Sequence, residues 1–184
     1  MKKVLLIHGF NGIPKIFLYF KSTLELKGYD VIIPDFPIRE KITVNSYFDV
    51  FDKYKNIMDD ELIVIAHSIG NIMFIKYIAK NNIKIAKYIS LAGFAEPFYV
   101  EGKDILNKVI KPLHISAEEK NKVEFLIDEK YSIYSDNDHI VPLDLLESYC
   151  NVINSKPIFI SGIGHMGKKS CLEKLPEVID LVSK

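Results

Sequence analysis

The sequence lacks the features that mark nucleic-acid-binding, disulfide-stabilised and membrane-spanning proteins. Its 24 basic and 24 acidic side chains cancel, which removes the usual electrostatic reason to expect nucleic acid or an anionic membrane as a partner. Two cysteines, Cys150 and Cys171, are too few for a disulfide framework or a cysteine-based metal site. No stretch approaches the ~20 apolar residues of a membrane helix, and no signal-peptide pattern occurs. We therefore expect a cytoplasmic protein with free thiols and no bound metal.

Short apolar runs alternate with longer helical patterns along the chain, which is typical of βαβ units and a parallel sheet. Strands are predicted at residues 4–8, 31–34, 62–66, 88–92, 131–134 and 157–160. Helices are predicted near residues 14–27, 43–58, 69–80, 117–127, 143–153 and 171–183. Because most of the strand candidates lack polar alternation, helices should cover both faces of the sheet. The sequence thus predicts one α/β domain, residues 1–184, with an open, doubly wound, six-stranded parallel sheet in three layers.

One connection is longer than a single crossover requires. Residues 93–130 span 38 positions between the fourth and fifth predicted strands, whereas a crossover helix uses about a dozen or slightly more. The surplus, about residues 94–113, is too short for a separate domain. We expect it to form a short flap, since long connections at the carboxyl ends of strands tend to carry function.

The strongest functional motif is the pentapeptide Ala66-His67-Ser68-Ile69-Gly70. It follows a predicted buried strand and opens a predicted helix, which is the position of a nucleophile elbow of the form G-x-S-x-G. Ala66 replaces the first glycine but is still small. The motif therefore makes Ser68 a candidate nucleophile, although a serine in this place also suits the N-cap of a helix.

A nucleophilic serine needs a base and an orienting acid. In this arrangement the chain order is serine, acid, histidine, with each residue following a strand. His165 follows the sixth predicted strand and is the candidate base. The acid is Asp136 or Asp138 after the fifth strand, with Glu96 after the fourth as a third possibility. The carboxyl ends of parallel strands meet at one edge of the sheet, so these distant residues can converge.

The segment His8-Gly9-Phe10-Asn11-Gly12 after the first strand is the candidate oxyanion loop. Its two glycines let backbone N–H groups approach a bound carbonyl oxygen. The expected donors are the N–H of Phe10, or that of Asn11, together with the N–H of Ile69 at the start of a helix. His8 should pack or form hydrogen bonds beneath this loop. The spacing is not the G-x-G-x-x-G of a dinucleotide site.

These motifs together resemble the YdeN-like family of small serine hydrolases, which is related to the retinoblastoma-binding serine hydrolase. The resemblance covers nearly the whole chain and depends on residues 4–10, 65–70, 91–95, 135–142 and 164–165. It implies an α/β-hydrolase fold without a large cap domain, with Ser68, Asp138 and His165 as catalytic triad and no metal or organic cofactor. In the family pattern the acid stands three residues before a valine, here Val141, which selects Asp138. Gly167 departs from the pattern, which has an acidic or bulky residue near the histidine.

We also expect a pocket for a small-molecule acyl substrate near the strand ends that carry these residues. We expect four side chains to line it, namely Asn11, Phe94, His139 and Met166. The leading function is cleavage of a carboxylic ester or related acyl bond through an acyl-enzyme. An amidase or aminopeptidase-type hydrolase is the alternative within the same class. A protein-binding module with vestigial chemistry is the alternative outside it, because a fold alone does not imply a function.

Overall fold

Six parallel strands form one sheet at the centre of the molecule. The structure is a computed structural model, and it describes residues 1–166 and 175–184. The strands are β1 (Lys3–Ile7), β2 (Asp30–Ile32), β3 (Ile63–His67), β4 (Ile85–Leu91), β5 (Ile127–Tyr134) and β6 (Lys156–Phe159). They lie in the order β2-β1-β3-β4-β5-β6, and every neighbouring pair is parallel. The predicted six-stranded parallel sheet is confirmed.

Helices follow most strands. They are α1 (Lys15–Leu26), α2 (Val44–Lys53), α3 (Ile69–Asn81), α4 (Asp104–Ile110), α5 (Ala117–Leu126), α6 (Leu143–Val152) and α7 (Pro176–Ser183), with short 3₁₀ turns at Arg39–Lys41 and Lys55–Ile57. The first residues of the last predicted helix, together with Gly167 and Cys171, lie outside the described residues. Among the residues that are described, no helix is both long and apolar enough to cross a bilayer.

Adjacent residues of β4 show that helices cover both faces of the sheet, because successive side chains of a strand point to opposite faces. Lys87 donates a hydrogen bond of 2.8 Å to the carbonyl of Leu181 in α7. Its neighbour Tyr88 stacks on Phe74 of α3 and contacts the hydroxyl of Tyr149 in α6. Helix α7 therefore covers one face, with α1 beside it, and α3 and α6 cover the other. The result is the predicted three-layer arrangement.

Helix α3 lies at the centre of the core and begins directly after the candidate nucleophile. Ten of its 13 residues are buried, so it is apolar on nearly all sides, as expected of a helix surrounded by protein. Strand β3, which precedes it, is buried along its whole length. The junction between these two elements therefore lies between a buried strand and a buried helix.

Two strands begin earlier than their apolar runs indicate. Strand β4 begins at Ile85, three residues before the predicted start, and β5 begins at Ile127 rather than near residue 131. The first part of β5 contains the polar segment Asp128–Lys130, with side chains at or near the surface, and this hid the strand in the pattern. The connection from β4 to β5 therefore ends at residue 126. Its early part contains α4, and no larger cap is present within residues 1–166 and 175–184.

Candidate active site

Ser68 occupies a strained turn between β3 and α3. Its backbone has φ 54° and ψ −126°, a conformation that costs a non-glycine residue on the order of 1–3 kcal/mol. The Ser68 N–H continues the sheet ladder through a bond of 2.9 Å to the carbonyl of Leu91. Ala66, at the first position of the motif, is fully buried in β3. The geometry is that of a nucleophile elbow, in which the serine projects from the end of a strand.

Close approach of β1 to this turn explains two of the glycines. A Cβ on Gly70 would lie 2.8 Å from the carbonyl oxygens of both Ile7 and His8. A Cβ on Gly9 would lie 2.9 Å from the Cβ of Ser68. No side chain fits at either position unless the backbone moves. The absence of side chains there brings the loop after β1 against the serine.

The structure brings Ser68, His165 and Asp138 into one hydrogen-bonded chain. Nε2 of His165 lies 3.1 Å from Oγ of Ser68. Nδ1 of the same ring lies 2.8 Å from Oδ2 and 3.0 Å from Oδ1 of Asp138. Asp138 is buried, and His165 is mostly buried. The carboxylate therefore fixes the tautomer with hydrogen on Nδ1, which leaves the Nε2 lone pair directed at the serine hydroxyl.

The surroundings of Asp138 keep it ionised. Burial by itself would raise the pKa of this carboxyl group, but hydrogen bonds outweigh burial and lower the pKa below its usual value. The hydrogen bonds come from His165 and from the backbone N–H groups of Ile140 and Val141, at 2.8 and 3.0 Å. A buried carboxylate with this many donors is well suited to orient a histidine and to stabilise its protonated form.

Asp136 has a different role, which is to hold the loop that carries His165. Its Oδ1 accepts the N–H of Gly162 at 2.9 Å, and its Oδ2 accepts the hydroxyl of Ser161 at 2.8 Å. Its neighbour Asn137 accepts the N–H of Gly164 at 2.7 Å. In the described part of the chain, Asp136 makes no hydrogen bond to His165. The loops after β5 and β6 are thus joined just before the histidine, a role that the sequence did not reveal.

His67, next to the candidate nucleophile, contacts the histidine loop directly. Its Nε2 donates to the backbone carbonyl of His165 at 2.7 Å, and the two rings are 4.9 Å apart. Burial, reinforced by the nearby His165, lowers the pKa of His67 to about 3. His67 is therefore neutral at physiological pH. Nothing in the sequence indicated this contact, because two residues 98 positions apart leave no local signal.

The candidate oxyanion loop is a tight turn supported from below by His8. The turn is closed by a bond of 3.3 Å from the Gly12 N–H to the Gly9 carbonyl. Nδ1 of His8 donates to the same carbonyl at 3.0 Å, while its Nε2 accepts the N–H of Phe36 at 3.2 Å. Burial lowers the pKa of His8, so the ring is neutral with hydrogen on Nδ1. The predicted position of His8 beneath the loop is confirmed.

The backbone N–H groups of Phe10 and Ile69 come before and after Ser68 in the sequence. Phe10 is in the turn after β1, and Ile69 is the first residue of α3. Within residues 1–166 and 175–184, neither N–H donates a hydrogen bond to the protein. Because an oxyanion hole requires N–H groups without a protein partner, both residues stay candidates for it.

A cleft of about 1180 Å³ opens over Ser68 and His165. Three of the four predicted pocket residues line it, namely Asn11, His139 and Met166. The fourth prediction, Phe94, is wrong. Gly93 packs directly against the ring of Tyr149, where a Cβ would be only 2.4 Å from ring carbon. Phe94, the next residue, is buried in the core, where its ring meets Phe98 edge-on at 5.1 Å.

A buried amide beneath the elbow was also missed by sequence reasoning. The side-chain nitrogen of Asn71 donates to the carbonyls of Ser68 and Leu91, both at 3.0 Å. Its oxygen accepts the hydroxyl of Tyr88 at 2.7 Å. The amide therefore links the carbonyl of Ser68 to that of Leu91 at the end of β4, and helps to fix the strained conformation of the turn. An asparagine three residues after Ser68, within the otherwise apolar segment 69–75, was the available signal.

Comparisons with known proteins agree with the fold described above. Among solved structures, the ydeN gene product from B. subtilis has a TM-score of 0.83 at 19% identity and covers 100% of this chain and 97% of its own. A meta-cleavage product hydrolase from Pseudomonas fluorescens has a TM-score of 0.73 at 14% identity, covering 99% and 90%. One of the carboxylesterases linked to Nitrososphaera gargenis has a TM-score of 0.68 at 14% identity, covering 98% and 90%.

These likenesses show the α/β-hydrolase fold that the sequence motifs predicted. A comparison with curated protein sequences gives no match. The family model described as serine hydrolase matches residues 4–184. Because that match spans almost the whole chain, the protein belongs to the serine hydrolase family.

Proposed function

We propose that this protein hydrolyses a carboxylic ester or a related acyl bond through an acyl-enzyme. Ser68 is the nucleophile, His165 the general base and Asp138 the acid that orients the histidine. One observation carries the proposal: an unbroken chain of hydrogen bonds leads from the Ser68 hydroxyl through both ring nitrogens of His165 to a buried carboxylate. This is the arrangement that activates a serine in unrelated acyl-transfer enzymes.

In the acylation half-reaction, Oγ of Ser68 attacks the acyl carbon while Nε2 of His165 takes the hydroxyl proton. The carbonyl oxygen gains negative charge in the tetrahedral intermediate. The N–H groups of Phe10 and Ile69 donate to that oxygen, and the start of α3 adds a favourable dipole. The protonated His165 then gives its proton to the leaving group, and the acyl group remains on Ser68.

Deacylation repeats these steps with water as the nucleophile. His165 takes a proton from the water as it attacks the acyl carbon, and returns that proton to Oγ of Ser68 when the intermediate collapses. Asp138 remains ionised throughout and stabilises the imidazolium in both halves. Each cycle therefore converts acyl substrate and water to acid and leaving group, and restores the starting protonation states.

The charges of the cleft favour an ester over the substrate of an aminopeptidase. Among the described residues that line the cleft, one has a carboxylate side chain, Asp104. Three have basic side chains, namely Lys15, Arg39 and Lys103. A substrate amine needs acidic partners, and one exposed aspartate among three cations is a poor site for it. The likeness to a carboxylesterase linked to Nitrososphaera gargenis supports the same choice.

The test is turnover of a panel of p-nitrophenyl esters and aminoacyl p-nitroanilides. We expect esters to be cleaved, and Ser68→Ala to lower kcat by about 10⁴-fold or more. Ser22→Ala, which changes an exposed serine of α1, is the matched control and should leave turnover unchanged. Cleavage of anilides alone would favour an amidase. Equal turnover by Ser68→Ala, or none by the wild type, would refute the proposal.

A further inference from the structure

We propose that Arg39 binds an anionic group of the substrate, so that the natural substrate carries a carboxylate or similar oxyanion in addition to the acyl bond that is cleaved. This inference rests on the proposed hydrolase function and specifies its substrate class. It concerns the cleft over Ser68 and His165, the residues of the proposed reaction. Arg39 belongs to the rim of that cleft.

Arg39 is the only arginine in the protein. Lysine occupies the other 23 of the 24 basic positions. In a chain that uses lysine everywhere else, an arginine in the cleft is a specific choice. Its planar guanidinium presents paired N–H donors that match a carboxylate or phosphate, which an ammonium group cannot reproduce.

The backbone of Arg39 is tied to the candidate oxyanion loop. The Arg39 N–H donates to the carbonyl of Phe10 at 3.0 Å, on the residue whose own N–H is available to a substrate oxygen. Arg39 also has a positive φ of 55°, a conformation that is uncommon for residues other than glycine. The turn therefore holds the arginine beside the oxyanion loop despite local strain.

The cleft has an excess of positive charge that the whole molecule lacks. Three basic side chains line it, those of Lys15, Arg39 and Lys103, against the single carboxylate of Asp104 among the described residues. The protein as a whole has a formal net charge of zero. Because charges that line a cleft focus their field within it, this excess attracts anionic substrates.

The guanidinium of Arg39 is accessible and weakly engaged. Its side chain is 56% exposed, and the nearest partner within the described residues is the exposed carboxylate of Glu40, 3.8 Å from Nε. That separation is beyond hydrogen-bond distance, and exposed ion pairs of this kind contribute little. The guanidinium is therefore able to form a bidentate contact with an incoming oxyanion.

Two matched pairs of esters test whether an anion is recognised and on which side of the bond it lies. On the acyl side, the mono-p-nitrophenyl ester of adipic acid is compared with p-nitrophenyl hexanoate, which lacks the carboxylate. On the leaving-group side, 4-carboxyphenyl hexanoate is compared with 4-carbamoylphenyl hexanoate. Both pairs are measured as kcat/KM with the wild type, Arg39→Gln, Arg39→Lys and the control Lys41→Gln, which removes a cation from the same turn outside the cleft.

We expect the wild type to prefer the anionic ester of one pair by about 10- to 100-fold, the usual strength of hydrogen bonds to a charged group. Arg39→Gln should abolish that preference, so that the ratio of kcat/KM between the anionic and the neutral ester falls to about one. Urea unfolding of the variant checks that it is folded. Arg39→Lys should recover part of the preference, and Lys41→Gln should retain it.

The inference is overturned if the wild type shows no preference in either pair, or if Arg39→Gln lowers kcat/KM equally for anionic and neutral esters. An equal effect of Lys41→Gln would also overturn it, because the preference would then reflect the general field. In these cases the neutral esters are still cleaved in a Ser68-dependent manner, and the proposed function stands. Failure of the proposed function gives a different result, in which no ester is cleaved or Ser68→Ala cleaves them equally.

Discussion

Three residues hold His165 in place: Asp138 and Ser68 contact its ring, and His67 contacts its backbone carbonyl. The ring bonds to Asp138 and Ser68 follow from residues that the sequence marked, since each stands after a strand in the expected order. The backbone bond comes from His67. That contact depends on how the loop after β6 folds over the elbow, which no local pattern encodes. The meeting of these three side chains was therefore predictable, and the backbone contact that supports the histidine was not.

The two neighbouring aspartates should respond differently to the same change. Asp138→Asn should lower kcat by up to about 10⁴-fold, because an amide favours the wrong histidine tautomer. Asp136→Asn should lower it less than about tenfold, since its amide oxygen still accepts the Gly162 N–H that holds the loop. Steady-state kinetics with a p-nitrophenyl ester give both values. The opposite ranking would assign the acid to Asp136.

His67 should make the protein less stable in mild acid. Its folded pKa is about 3, below the ordinary value near 6.5, so between these pH values the unfolded chain binds a proton that the folded protein does not. Stability therefore falls as pH falls through this window. From pH 8 to pH 5 the loss due to His67 should be about 2 kcal/mol.

Urea unfolding of the wild type and His67→Gln at pH 8 and pH 5 measures that loss. Glutamine does not titrate, and its amide retains a donor for the His165 carbonyl. The variant should therefore lose about 2 kcal/mol less than the wild type over this interval. Parallel losses in the two proteins would show that His67 is protonated in the folded state.

At the scale of elements, the site depends on how closely β1 approaches the junction of β3 and α3. The carbonyls of Ile7 and His8 leave no room for a Cβ on Gly70. This close packing of strand and helix is what makes the motif specific, and it explains why the pentapeptide was informative once its flanking elements were recognised. The boundaries of β5 were less predictable, since its polar first residues pair with β4 without being buried.

Gly70→Ala should therefore lower the free energy of unfolding by about 3 kcal/mol, because β1 or α3 must move to admit the methyl group. It should also slow acylation of Ser68. Gly28→Ala is the control: Gly28 has φ 87° but open space around it, so it should cost only about 1–2 kcal/mol of left-handed strain. Unfolding curves and probe-labelling rates compare the two. Equal behaviour in both measurements would contradict the close-packing argument.

At the scale of the whole molecule, the strand order places the site. The chain passes from β1 to β2 on one side and returns to β3 on the other, and ligands of open α/β sheets bind at such a switch point. The ends of β1 and β3 supply the oxyanion loop and Ser68, and the ends of β5 and β6 supply Asp138 and His165. The alternation of apolar runs was enough to predict this convergence.

The walls of the cleft were not predictable in the same way. Phe94 is buried in the core, where its ring packs against Phe98. Arg39 lines the cleft from a short 3₁₀ turn, where its backbone N–H donates to the carbonyl of Phe10 in the candidate oxyanion loop. Both depend on the packing of loops, whereas the sheet depends on patterns that repeat along the chain. This is why the reaction class followed from sequence more readily than the shape of the pocket.

Covalent labelling by a fluorophosphonate tests the central claim, that Ser68 is an activated nucleophile, most directly. Intact-mass spectrometry of the wild type should show one adduct per chain, and peptide mapping should place it on Ser68. Ser68→Ala should remain unlabelled while unfolding at the same urea concentration as the wild type. An unlabelled wild-type protein, or an adduct on another residue that persists in Ser68→Ala, would contradict the account.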